Sequence, residues 1–232
     1  MPALARCPFK SGVGTQQNAP GGTWGAEKGY LRMATTSAAI SLSRIKREIV
    51  EIPIKGTAPL IVHRWSEKAR EMMLAAQQGK KTPKQAKDPQ ADYESSMYRL
   101  TDGGHGFPVM AFKAATVKGG GRVFGKSVKM TELRQVFTFI ADGLGVDGTQ
   151  LARISGEPTM REDMVRVGMG TADIRFRAEY RDWSATLRVE YVPSVIDLES
   201  VVALVDAGGT NGVGEWRPEK SGSYGTYEVI GL

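Results

Sequence analysis

The side chains that could do chemistry are few. Two histidines, His63 and His105, and one cysteine, Cys7, are all the chain has beyond its carboxylates for holding a transition metal, too few for a structural zinc site. His63 stands beside Arg64 and Trp65, a neighbourhood in which an imidazole could serve as general base in metal-free RNA cleavage. The commoner role at such a position is a side chain that caps or packs where a helix begins. His105 lies in the turn Asp102-Gly103-Gly104-His105-Gly106 and reads as a loop residue. The carboxylates are scattered, and no Ser/His/Asp, Cys/His or His-Glu-x-x-His spacing can be drawn. No catalytic residue and no metal site is therefore assigned, and the chain reads as a non-enzyme.

The basic residues are better organised. Between Pro108 and Arg134, Lys113, Lys118, Arg122, Lys126 and Lys129 recur at intervals of three to five, with Phe112 and Phe124 interleaved. Cations that pair phosphates, beside rings on which bases stack, are the two parts of sequence-tolerant single-strand binding. The competing reading is an amphipathic helix whose Phe residues are core and whose Lys residues are wet. The chain carries +6 overall, and the window from Gly79 to Lys129 holds ten basic residues against four acidic ones. Such a local excess is the footprint of a polyanion partner or of a solvated loop. Glycines cluster at Gly119-Gly120-Gly121 and at Gly208-Gly209-Thr210-Asn211-Gly212-Val213-Gly214. Neither cluster has P-loop or dinucleotide spacing, so no cofactor is expected. Each either stops a helix or lets backbone approach a phosphate.

The elements that must position these residues follow from periodicity. At 41% hydrophobic over 232 residues the chain can bury a core. No run of eighteen apolar residues and no signal-peptide core occurs, so neither a membrane span nor export is expected, and a reducing cytoplasm suits the lone cysteine. Residues 1–43, rich in Gly, Ala, Ser, Thr and Gln, read as a flexible arm, within which Met33 offers a second plausible start. A strand is predicted over Arg44–Ile54 from its β-branched residues. A helix capped by Ser66 follows over Glu67–Gln78, and the alternation of Ile174, Phe176, Ala178 and Tyr180, then Ala185, Leu187, Val189 and Tyr191, predicts one antiparallel hairpin reversed at Asp182-Trp183-Ser184. Asp197 caps a helix to Ala207 that Gly208-Gly209 stop, and the last strand runs Tyr224–Ile230. Pro108 starts a helix over Val109–Lys118 that Gly119-Gly120-Gly121 end. The resulting β-α-β-β-α-β order is that of an α+β, ferredoxin-like or RRM-like antiparallel sheet with helices on one face. Residues 44–232 form one domain with a large basic insertion at about 79–172.

The segment Phe107-Pro108-Val109-Met110-Ala111-Phe112-Lys113-Ala114-Ala115, followed by basic residues, resembles the helix-opening segment of the RAMP superfamily, whose members form the backbone of CRISPR effector complexes. The tail Gly208 to Tyr227, with Gly212-Val213-Gly214-Glu215-Trp216-Arg217-Pro218 and Gly222-Ser223-Tyr224-Gly225, resembles the superfamily's glycine-rich loop and final strand, and is similar to the tail of a group of bacteriophage proteins. The resemblance implies an RRM-like core that binds single-stranded nucleic acid along its backbone and self-associates into an oligomer or filament on it, in a bacterial host cytoplasm if phage-encoded. Lys113, Lys118, Arg122, Lys126, Lys129, Arg217 and Lys220 would then meet phosphates, and Phe112 and Trp216 would stack bases. Two rivals stand beside this reading: a virion or scaffold component whose basic patch meets an acidic neighbour, and a metal-independent RAMP-type ribonuclease using His63.

Overall fold

A computed structural model describes residues 42–80, 86–167 and 170–231. The expected flexible arm falls almost wholly outside the described residues. The chain opens with β1 (Glu48–Gly56) and β2 (Leu60–Val62), then α1 (Glu67–Gln77) and α2 (Pro89–Ser96), and the short β3 (Tyr98–Arg99) and β4 (His105–Pro108). Next come α3 (Val109–Val123), α4 (Met130–Val136), β5 (Phe137–Ile140), β6 (Gly143–Leu144) and β7 (Gln150–Ser155). A long ribbon, β8 (Pro158–Val167) and β9 (Thr171–Tyr180), leads to β10 (Ser184–Tyr191), α5 (Leu198–Asn211), a 3-10 turn at Pro218–Lys220 and β11 (Tyr227–Val229).

The larger sheet runs β11-β1-β10-β7-β4-β3 with antiparallel neighbours. Taken as β1-α3-β7-β10-α5-β11, its central part has the β-α-β-β-α-β order with the fourth strand beside the first and the first beside the third. That is the ferredoxin-like arrangement expected from sequence. The core lies on one face, where Ile52 and Ile54 of β1 and Leu187 and Val189 of β10 meet Phe112 of α3 and Val201 and Val205 of α5. Residues 44–232 make one compact unit.

The first core helix is α3, not α1. Ser66 does cap α1, its hydroxyl accepting from the Ala69 N–H at 3.2 Å, but α1 buries no residue. The stretch 79–172, set aside as an insertion, thus supplies α3, β5 and β7 to the core. Gly119-Gly120-Gly121 does not end α3, which continues to Val123. A Cβ on Gly119 would stand 2.2 Å from the Ala207 carbonyl oxygen, and one on Gly208 would stand 2.8 Å from the Thr116 Cα. These glycines lie inside helices so that α3 and α5 can touch backbone to backbone, and α5 accordingly runs through Gly208-Gly209 to Asn211.

The expected hairpin of residues 174–181 with 185–191 does not form. β10 pairs with β1 (Ile52 opposite Leu187), whereas β9 pairs with β8 (Arg161 opposite Arg177) and β2 (Leu60 opposite Tyr180) in a separate three-stranded sheet. Alternation specifies which side chains share a face but not which strand is the neighbour. Trp183 explains the crossing. Rather than standing at a turn tip, its ring is buried and its indole N–H donates to the Ala58 carbonyl at 2.9 Å, tying the connection between the two sheets. Arg177, expected on a wet face, is only 2% exposed, and Ile174, expected in the core, is 44% exposed.

Candidate nucleic-acid interface

Helical spacing puts Lys118 and Arg122 on one face of α3, one turn apart, and the packing of α3 on α5 turns that face toward the chain that follows α5. Arg122 Nη2 donates to Thr210 Oγ1 at 2.8 Å. Lys118 Nζ pairs with Glu219 Oε1, and Arg217 Nε donates to the other oxygen of the same carboxylate at 2.8 Å. Arg217 Nη1 also donates to the Gly214 carbonyl at 2.8 Å, so its guanidinium is held at both ends. The Glu219 carboxyl is pushed down to about 2 by Lys118 first and Arg217 second, so it is ionised wherever the protein is folded in ordinary buffers.

The loop that carries Arg217 has a defined course. Gly212, at φ +72°, turns the chain out of α5, after which Val213 N–H donates to the Gly225 carbonyl and Glu215 N–H to the Ile61 carbonyl, each at 2.9 Å. Trp216 sits in the left-handed region at φ +53° with 42% of its surface exposed, and Lys220 is exposed in the turn. The charged face of the β8–β9 ribbon packs behind this loop. Arg161 lies 4.8 Å from the Tyr224 ring centre and donates to Asp163 at 2.9 Å and Glu179 at 2.8 Å. Burial works against the Arg161 cation, but those two carboxylates outweigh it and hold its pKa up. Arg177 has Asp163 at 3.4 Å and an Nε without a hydrogen-bond partner, and its burial pulls its pKa down. His63 Nδ1 is 3.8 Å from Glu215 Oε1, and the imidazole holds the Glu215 carboxyl below its ordinary range with help from Arg177 and Arg217.

Of the residues singled out from sequence, Lys118, Arg122, Arg217, Lys220 and Trp216 come together on this ridge. Lys113 is half-buried earlier on α3, while Lys126 and Lys129 lie exposed in the connection to α4, Lys129 at 3.7 Å from Glu132. Phe112 is a correction: it is 0% exposed, edge-on to Phe107 and Tyr227, because its position on α3 faces the sheet, and it cannot stack a base. The residues missed were Thr210, Glu215 and Glu219. Glu215 and Glu219 each stand two places from Arg217, but only Glu219 pairs with it. The others depend on partners about ninety to a hundred and fifty residues away.

The open face of the larger sheet is unlike this ridge. β1 and β10 present Ile49, Glu51, Pro53 and Lys55 opposite Glu190, Arg188, Thr186 and Ser184. Arg188 faces Glu51 at 3.9 Å and Arg47 faces Glu190 at 3.4 Å. No ring stands among those residues to stack a base in the manner of an RNA-recognition motif. Among the described residues no trio of His, Cys, Asp or Glu is placed to hold a metal, and no helix is long and apolar enough to cross a membrane.

No protein-family model matches the chain, and no curated protein matches it. Among solved structures, Cmr6 from Pyrococcus furiosus aligns with a TM-score of 0.42 at 11% identity, covering 81% of this chain and 100% of that one. A type III-B Cmr-beta structure bound to cognate target RNA aligns with a TM-score of 0.43 at 9% identity, covering 80% of this chain and 60% of that one.

Proposed function

We propose that the protein binds single-stranded nucleic acid, without sequence preference, along the ridge formed by α3 and the loop after α5. The observation that carries this reading is the convergence of Lys118, Arg122 and Arg217 on one surface beside the half-exposed Trp216, while the residues that β1 and β10 present on the open sheet face include no ring. Lys118, Arg122, Arg217 and Lys220 meet phosphates, Lys113, Lys126 and Lys129 extend the path along α3 and beyond it, and Trp216 stacks a base. Phosphate contacts of this kind position a strand but do not read its sequence. Self-association along the strand belongs to the same proposal. β8 is the edge of the second sheet and exposes Met160 and Met164, an unpaired edge open to another chain.

The test is a titration of a labelled single-stranded oligonucleotide at several salt concentrations. Four to six phosphate contacts, each releasing about 0.7 of a counterion, give a log-log slope of roughly −3 to −4. Replacing Lys118 and Arg122 together by Ala makes the slope shallower by about 0.7 to 1.4 and weakens all sequences alike. Wild-type protein that binds nothing at low salt would favour the scaffold reading. Shortening of the oligonucleotide that disappears in His63→Ala would favour the ribonuclease reading.

A further inference from the structure

Glu219 takes up both of the cations that the ridge brings closest together. Lys118 arrives from a helix packed in the core and Arg217 from a guanidinium pinned to the Gly214 carbonyl, and each donates to a different oxygen of the one carboxylate. Two oxygens on one centre, each accepting from a separate cation, is also what a phosphodiester offers through its non-bridging oxygens. Arg217 keeps a second anchor in the Gly214 carbonyl without the carboxylate, and Lys118 is carried on the packed helix α3. Nor is the trio a strut of the fold. The side chains of Lys118, Arg217 and Glu219 are 47%, 28% and 24% exposed, and ion pairs in contact with water contribute little to stability. One turn along α3, Arg122 rests on the Thr210 hydroxyl and has no carboxylate partner among the described residues, so the path continues beside the pair.

We infer that Lys118 and Arg217 form a site for one phosphate of a bound strand, and that Glu219 occupies it in the free protein as an intramolecular stand-in that the strand displaces. The inference rests on the nucleic-acid-binding reading above and adds a regulator to it. Displacement leaves Glu219 exposed to solvent, where it recruits a cation of its own, so the wild-type protein gains less from this contact, and shows less salt dependence for it, than two unpaired cations would.

The experiment compares wild type, Glu219→Gln and Glu219→Ala in the same oligonucleotide titration, with Glu67→Gln as a control that removes an equal charge and an exposed ion pair on α1, where Glu67 lies 3.3 Å from Arg70. Releasing two exposed ion pairs tightens binding by about three- to tenfold at low salt, and one regained phosphate contact steepens the slope by about 0.7. Both Glu219 variants gain and Glu67→Gln does not. Adding Lys118→Ala to Glu219→Gln abolishes the gain. Unchanged or weaker binding by both Glu219 variants, beside a wild type that binds, overturns the stand-in and leaves the function standing. Silence from every variant, with unaltered thermal melts, removes both. Inorganic phosphate at matched ionic strength competes no better than chloride, and phosphate that competes like the oligonucleotide would make this a free-phosphate site and overturn the assignment to a strand.

Discussion

In the sheet around β1 and β10, Ile52, Ile54, Leu187 and Val189 are buried while Glu51, Thr186 and Arg188 face water. In the β2-β9-β8 sheet Asp163, Arg177 and Glu179 are buried, while Met164 is 76% and Ile174 44% exposed. Both sheets alternate with the same period and both bury apolar side chains, Leu60, Val62, Ala178 and Tyr180 in the second, but only the second also buries charges on its other face. A buried charge is costly unless paired and hydrogen-bonded. Arg161 meets this cost by bridging Asp163 and Glu179, while Arg177 meets it only in part, with one long contact to Asp163. Such a network contributes less to stability than to placement. It holds the ribbon against the loop that carries Trp216 and Arg217, whereas the apolar face of the other sheet makes the core on which α3 and α5 rest. Both sheets contribute to the apolar core, and the second also seats the loop.

The comparison breaks most readily at the buried charges. Arg177→Met leaves Asp163 with Arg161 alone, and unfolding in urea should show a loss of about 1–3 kcal/mol, the usual result of leaving a buried polar group short of a partner. Arg177→Met with Asp163→Leu recovers most of that loss. A single variant as stable as wild type would mean that the ribbon's charges are not buried. Acid sharpens the contrast to a smaller degree. The Glu215 carboxyl is held below its ordinary range by His63, with Arg177 and Arg217 adding to the effect, so its stabilising contribution is complete above the unfolded value of about 4.3 and is lost as pH falls through the lower folded value. Amide-exchange protection in β8 and β9 should therefore fall before that of β1 and β10 as pH drops below that point. Simultaneous loss in both sheets would contradict the division. The smallest effect belongs to the open face, where Arg188→Ala removes a side chain 38% exposed and 3.9 Å from Glu51. Stability there should move by no more than about 0.5 kcal/mol.

What the amino-acid sequence determined by itself was local: the Ser66 and Asp197 caps and the alternation that buries Ala185, Leu187, Val189 and Tyr191, together with the α+β, ferredoxin-like class, although α3 and β7 hold the places expected of α1 and of residues 174–181. Hydrogen bonds within a turn and the period of a strand act over a few residues, so they are legible where they occur. What only the tertiary structure decided was partnership. Alternation in residues 174–180 is as regular as in residues 185–191, and nothing in it says that Arg177 turns inward against Asp163 or that Trp183 crosses to Ala58. Phe112 carries the same spacing whether its ring is core or stacking surface, and α3 settles the matter by facing the sheet. Gly119 and Gly208 read as helix stops until α3 and α5 are seen touching through them. The pairing of Lys118 with Glu219 joins residues 101 apart, and a contact at that separation exists only once the chain between them has folded, because the energy of an ion pair depends on distance in space and not along the chain.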